Sequence, residues 1–595
     1  MILLLWTLGG LRYWWSGGAA RGFVLAATLL LLAAGAWQLN RWWYTCARWS
    51  TILWIYLLAE FLPEQLLGGS KTWMPQVVPA LMALSWIAVA SLAEKPAGEF
   101  LGRVRTLGGR HALPLLAGFS VVYLIAGCGL ALRKLHCFGY VGQDVAYFMQ
   151  CLYTGVHGHL FWSNQYHDLL YTRTVASDFA GHNQPVLFLL LPLYFLFPHP
   201  EALFFSRNIA LALCAFPAFQ LCRLSLPSLP SALLTGAFLL APAVLFQNFY
   251  DYAPLSLIAL PLLFALLFYA RKRFWLFVLT VFACLLVRED LVFVAVGLGM
   301  LALLERRPLR WAILPLALGA AWSVLTWHYL LPHFQHGATS AVQSCFAYLG
   351  ATPAQMLHTL MSHPRILLTH NIVTYLKLMV TPFGVILPLW SPVALISLPY
   401  LFINILGDKG CDAAMIYRHY ALIPTVLLLP GVIKAVRWLS TRRSPLDTTA
   451  TRWAALVLLS SICASLLTIG ARELAWWTPS PWNADANTVA ASLPAHAAVA
   501  VPRYMLPLVA NREFVYQSLR LLEYHHPDAT YVIIDRDARR SGVSPKTEPR
   551  YTLLLQQLSD PGRFRVIYRS ANYLVFARTG APLSSLADQR THGHE

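Results

Sequence analysis

The sequence predicts an all-α polytopic membrane protein that ends in a small extracytoplasmic α/β domain. Of its 595 residues 58% are apolar and only 12% are charged, against roughly a quarter charged in soluble domains. Apolar runs of about 17 to 21 residues, long enough to cross a bilayer as helices, recur along most of the chain. From Trp482 onward these runs stop and a polar tail with short strand-like segments follows.

The spans can be taken in order. Phe23–Leu39, Thr51–Leu62 and Val77–Ala93 form an N-terminal group of about three helices within residues 1–111. A core of about 11 helices is expected within residues 112–471. Its candidates are Leu113–Leu132, Leu203–Cys222, Ala232–Phe249, Pro254–Ala270, Phe274–Val287, Leu291–Leu304, Trp311–Leu331, Ile372–Trp390, Val393–Leu406, Tyr420–Val436 and Ala454–Ile469. No cleavable signal pattern opens the chain, so the first span is expected to act as the insertion signal. The 21 Trp, 26 Tyr and 31 Phe suit belts at the two membrane interfaces.

A net charge of +18 would suggest nucleic acid in a soluble protein. Here Lys and Arg sit mostly in short connections between spans, which the positive-inside rule explains, so no nucleic-acid partner is expected. Outward-facing Arg remains available for an anionic lipid headgroup. With the basic clusters at Arg103–Arg110, Arg223, Arg271–Arg273, Arg306–Arg310 and Lys434–Arg443 placed inside, the polar loop within residues 133–202 falls outside. That parity leaves no room for Val186–Phe197 as a crossing, and about 12 residues is short for one. The segment therefore reads as a helix lying on the outer face. Asp251, the Arg288-Glu289-Asp290 triplet, the Pro332–His370 and Gly407–His419 connections and the tail also fall outside. The acid-rich stretches of the core thus converge on one face.

The outer loop holds Asp144, Asp168, Asp178, His157, His159, His167 and His182. Asp144 lies just beyond a span end. A carboxylate there can act as a general base toward an acceptor hydroxyl, hold a divalent metal ion, or simply cap the helix that follows. His182 can donate to a phosphate, bind metal or sense pH, or be an ordinary interfacial residue. The His157-Gly158-His159 spacing resembles a metal site with low specificity. Arg288, Glu289 and Asp290 interrupt a long apolar stretch, where charges are costly and tend to be functional. The alternative is a plain outer turn with Arg288 and Asp290 paired. Asp251 either serves the site or caps the helix opened by Pro254. Arg418 and His419 open a span from the outer face and either grip a phosphate or anchor the helix end. Glu60 reads as the end of a short span.

Cys128, Cys214, Cys222, Cys284 and Cys463 lie in or beside apolar runs and read as packing residues. Cys137 and Cys151 flank Asp144 and are candidates for a disulfide on an oxidising face. The tail, residues 482–580, reads as an α/β domain: a strand in Ala498–Met505, a strand at Tyr531–Asp535, a helix at Tyr551–Leu558, and a hairpin of Arg565–Tyr568 and Tyr573–Ala577. Residues 581–595 are expected to be disordered. No phosphate loop, HExxH or GxSxG pattern supports nucleotide-driven transport or soluble hydrolase chemistry.

In order and spacing, several blocks resemble an uncharacterised family of prokaryotic multi-pass membrane proteins. That family is grouped with the type-C glycosyltransferases, which include the protein O-mannosyltransferases and the aminoarabinose lipid A transferases. The opening block is Asp144, Gln150 and Gly158 before Leu160-Phe161. The second is His182, Pro185 and Leu191-Pro192-Leu193-Tyr194. Glu289-Asp290, Tyr348-Leu349-Gly350, and Phe383-Gly384 through Pro388, Pro399 and Asn404 to His419-Tyr420 follow. The sequence departs from the family pattern at Asp251-Tyr252-Ala253-Pro254, where a His is missing.

The resemblance implies a type-C helical bundle in the cell membrane, inner or plasma. It also implies a polyprenyl-phosphate sugar donor, with inverting transfer on the outer face to an acceptor the sequence does not identify. On that reading Asp144, Glu289 and Asp290 are the catalytic candidates. His182, Arg288, Arg418, His419, Gln150 and Asp251 are the candidates for binding donor phosphate or substrate. Membrane lipid is the expected partner, and a divalent metal ion a candidate cofactor. Two other readings stay open: a transporter or lipid flippase using Glu289-Asp290 as an ion site, and a non-catalytic membrane scaffold.

Overall fold

The structure is a computed structural model that describes residues 95–582, apart from Val141 and the stretches 166–174, 336–344, 368–369, 385–386, 412, 442–445, 476–478 and 525–526. The three N-terminal spans, Glu60, His167, Asp168 and nearly all of the tail expected to be disordered lie outside the described residues.

Four described helices are long and apolar enough to cross a membrane: His111–His136, Pro200–Arg223, Arg310–Gln335 and His419–Thr441. Ser228–Leu239 and Pro242–Asn248 make a fifth if taken as one span, bent by 59°. The single helix expected over Ala232–Phe249 breaks there because Pro242 opens a new helix in its first turn, where its missing N–H costs nothing. Shorter apolar helices fill the rest, among them Phe274–Leu285 and Val393–Leu406. The span expected over Ile372–Trp390 also differs. Its helix ends at Val380, and a 3-10 turn with Pro382 follows, closed by Gly384 at a left-handed φ of 81°. Proline removes a donor and glycine adopts the reversing conformation, so the helix stops.

Val186–Leu196 is a separate helix of 11 residues. One side, with Leu187, Leu190 and Tyr194, is buried, while Leu189 and Phe195 are each 74% exposed.

The C-terminal region folds as a five-stranded mixed sheet. Val499–Val501 lies between Val515–Gln517 and the central strand Tyr531–Asp535 and is parallel to both. Tyr531–Asp535 then pairs antiparallel with Tyr573–Arg578, which forms a hairpin with Phe564–Arg569. The strand pattern in Ala498–Met505 ends early, because Arg503–Met505 turns into a 3-10 helix after Pro502.

One apolar core runs through both regions. Val145, Met149 and Leu152 of the helix Gln143–Val156 pack in the same buried cluster as Leu187, Phe204, Val499, Met505, Ile533 and Val575. Cys151 belongs to it too.

The cysteines differ from expectation. Cys137 and Cys151 are buried free thiols, held apart by their separate places in the packing. The disulfide joins Cys345 to Cys411, with Cα atoms 5.3 Å apart.

Candidate active site

The helix Gln143–Val156 presents Asp144 in its first turn. Its start is held by a residue from far along the chain. Asp251 Oδ2 accepts from the backbone N–H of Gly142 at 3.0 Å and of Asp144 at 3.4 Å. Asp251 Oδ1 accepts from Val145 N at 3.1 Å and from its own neighbour Tyr252 N at 3.0 Å. A carboxylate bonded to orphan N–H groups at the positive end of a helix is favourably placed. Asp251 therefore caps the Asp144 helix rather than the one opened by Pro254, and both of its oxygens are engaged.

Asp251 is itself held by a fully buried arginine in a membrane-length helix. Arg207 donates to the carbonyls of Asn248 at 2.9 Å and Tyr250 at 2.8 Å. Lys134 donates to Phe249 O at 3.1 Å. These cations fix the turn that carries Asp251. Arg207 is legible in the sequence as a lone charge inside an apolar helix, although it is not among the candidates above.

Asp144 is different. Its carboxylate is partly buried and makes no hydrogen bond to the described residues. Burial, together with the Asp251 charge, raises its carboxyl from the usual range to about 7, against the opposing pull of Arg418 and Arg503. Arg503, from the C-terminal domain, is a second residue missed from the sequence. Gly142, at φ 81°, lies against that domain, where an added Cβ would stand 3.2 Å from Arg503 O and 3.1 Å from Pro507.

A second cluster surrounds Glu289. One Glu289 oxygen pairs with His182 Nδ1 at 2.7 Å, and the other accepts from Asn183 N at 2.9 Å. Asn183 also donates to Thr326 at 2.7 Å. Burial works against the His182 imidazolium, but the Glu289 carboxylate outweighs it and holds the His182 pKa above its ordinary value. Asp178 stands nearby and accepts from Tyr147 at 2.8 Å, while its Oδ2 is buried with no partner among the described residues. Burial raises its carboxyl to about 7, with His182 opposing. Arg288 and Asp290 form a bidentate pair, and the Arg288 guanidinium lies 5.1 Å over the Tyr420 ring.

Arg418 and His419 bridge the two clusters. Gln247 holds the Arg418 carbonyl at 3.3 Å, and Asn404 holds that of Tyr420 at 3.2 Å. His419 is buried, has no hydrogen-bond partner for Nδ1 among the described residues, and lies within electrostatic reach of Arg288, Arg418 and His182. The Tyr250 ring stands 6.2 Å from it.

Asp144, His182, Arg288, Glu289, Arg418 and His419 thus share one polar neighbourhood. Gln150 lies elsewhere. It is fully buried and bonds Asn164 at 2.7 Å and the Glu513 carbonyl at 2.8 Å, joining the outer loop to the C-terminal domain. His157 is exposed beside Tyr153 O, and His159 stacks on Trp162 at 4.4 Å. Among the described residues no group of three or more His, Cys, Asp or Glu is arranged to hold a metal ion.

Residues 137–575 match the model of a family described as a predicted membrane protein family, DUF2079. The chain belongs to that family. No curated protein matches the sequence. Among solved structures, the chain is similar to ArnT from Cupriavidus metallidurans bound to undecaprenyl phosphate. The identity is 12% and the TM-score 0.42, over 79% of this chain and 99% of that one. The apo form of the same protein gives 14% and 0.43, over 77% and 98%. The archaeal oligosaccharyltransferase AglB from Archaeoglobus fulgidus, in complex with an inhibitory peptide and a dolichol-phosphate, gives 10% and 0.41, over 79% and 76%.

Proposed function

We propose that this family member is a type-C membrane glycosyltransferase. It moves a sugar from a polyprenyl-phosphate donor to an acceptor on the extracytoplasmic face of the cell membrane. One observation carries the reading: the Asp144 carboxylate, raised by burial, has no hydrogen bond among the described residues and sits on a helix whose start is clamped by Asp251 and which faces Arg418. A group tuned to about 7 is matched to general-base work near neutrality.

Asp144 takes the proton of the acceptor hydroxyl. The acceptor oxygen bonds to the anomeric carbon, and the bond from that carbon to the phosphate oxygen breaks. The polyprenyl phosphate leaves with the electron pair. Arg418, His419 and the imidazolium of His182 stabilise the charge that develops on it. Glu289 keeps His182 protonated and oriented. Arg288, engaged with Asp290, adds positive potential beside His419.

Two further observations support the outer-face assignment. The Cys345–Cys411 disulfide joins two connections that the charge parity places outside, and disulfides persist in oxidising compartments. The exposed apolar side of Val186–Leu196 suits a helix lying on the membrane surface next to the site. The test incubates the purified protein with polyprenyl-phosphate sugars and follows sugar transfer. Transfer that needs Asp144 supports the reading, and an Asp144→Asn protein as active as the parent sinks it.

A further inference from the structure

The C-terminal domain has many charged groups, and most are engaged within the domain. Asp535 holds Arg540 through two contacts of 2.6 Å and accepts from Tyr504 at 2.5 Å. Asp485 accepts from Ser570 at 2.6 Å and Asn572 at 3.0 Å. Arg520 pairs with Glu523 at 2.6 Å, and Arg512 lies on the carbonyls of Leu493, Pro494 and Ala497. Arg503, like Arg539, Arg563 and Arg569, departs from this pattern, and of these it is the one whose backbone meets Gly142. Its guanidinium makes no hydrogen bond or ion pair with the described residues. Its backbone is pressed against Gly142, at the start of the Asp144 helix. It lies within electrostatic reach of Asp144 and Asp251, without closing on either.

We infer that Arg503 is a substrate-contacting residue: with Arg418 it grips the donor phosphate across Asp144, so the C-terminal domain forms one wall of the active site. This rests on the transferase reading above. The charge balance gives the second guanidinium a specific task. A sugar joined to polyprenyl phosphate is a phosphodiester with one negative charge, whereas the leaving polyprenyl phosphate is a monoester that carries nearly two above its second pKa of about 6. One guanidinium matches the bound donor. The second matches the charge that appears as the sugar departs, which is where binding lowers the barrier.

The test measures binding to full-length protein in detergent at about pH 8, where the monoester is a dianion. The probes are a polyprenyl monophosphate and its methyl diester. The proteins are the parent, Arg503→Gln and Arg503→Lys. The parent should prefer the monoester. Arg503→Gln should lose roughly 10- to 100-fold of monoester affinity, the range of a charge-assisted contact, lose clearly less of diester affinity, and keep the parent's melting temperature. Arg503→Lys should recover part of the preference, which a merely structural arginine would not show. If Arg503→Gln keeps the parent's monoester preference, the inference is overturned while the transferase reading stands. If the parent binds neither probe, the transferase reading fails and takes the inference with it.

Discussion

The two acidic centres of the molecule are built on opposite plans. Around Glu289 the carboxylates are engaged: Glu289 with His182 and Asn183, Asp290 with Arg288. Around Asp144 the work is divided between two residues. Asp251 takes the backbone N–H groups, and the Asp144 carboxylate makes no hydrogen bond to the described residues. A charge buried near partners is a structural element, whereas a charge buried without them is held at a cost in stability and stays ready to accept a proton. The triplet stands out in the sequence because charges are rare at membrane depth. On the proposed reading the triplet frames the anion site, and the reactive role falls to the acid that the frame leaves open.

Substitutions test that contrast directly. The largest effect is expected at Asp144. Asp144→Asn should reduce transfer by about 100- to 10,000-fold, the usual contribution of a general base, while donor binding persists. Transfer assays paired with donor-binding measurements check this. A loss of binding as large as the loss of rate would make Asp144 a binding residue instead.

Asp251→Ala should come next. It strips acceptors from the N–H groups of Gly142, Asp144 and Val145, and each buried unpaired donor costs about 1–3 kcal/mol. Thermal melting should fall by several degrees, and transfer should fall with it as the Asp144 helix loosens. Asp251→Asn keeps one acceptor oxygen and should lose less of both. Equal melting of Asp251→Ala and parent would remove the capping role.

Glu289→Gln should act mainly through His182. The parent imidazole holds its proton to higher pH because of Glu289, so the variant should deprotonate at lower pH and lose donor affinity earlier as pH rises. Histidine titration by NMR, or the pH profile of donor binding, reads this. An unchanged profile would mean that Glu289 only shapes the loop.

The smallest expected effect is on stability. The folded-state carboxyl of Asp144 is raised to about 7, so the parent loses stability as pH climbs from the normal carboxylate range through that value. Asp144→Asn carries no such charge. It should melt like the parent near pH 4 and above it at pH 8, and the reverse order would contradict an unpartnered, desolvated carboxylate.

How much of this was legible in the sequence depends on the range of each interaction. The polar loop, the triplet and the Arg418-His419 pair stood out because each breaks an apolar background, and their gathering followed from charge parity. The helix breaks at Pro242 and Pro382 are local rules that a span-length reading overrode. The task of Asp251 was hidden because its partners lie 106 to 109 positions away. Nothing local separates Arg503 from the other arginines of the tail. Gln150 sat in a matching block, yet it binds the C-terminal domain rather than the polar neighbourhood. The Cys345–Cys411 pairing joins positions 66 apart and carried no spacing signal.

The bond from Gln150 to Glu513 spans 363 positions, and the core around the Asp144 helix draws on strands as late as Tyr573–Ala577. The helix bearing the proposed base therefore gains its full set of neighbours only after the C-terminal strands have been synthesised. Chains that stop short of those strands hold Asp144 but lack the partners that its helix packs against.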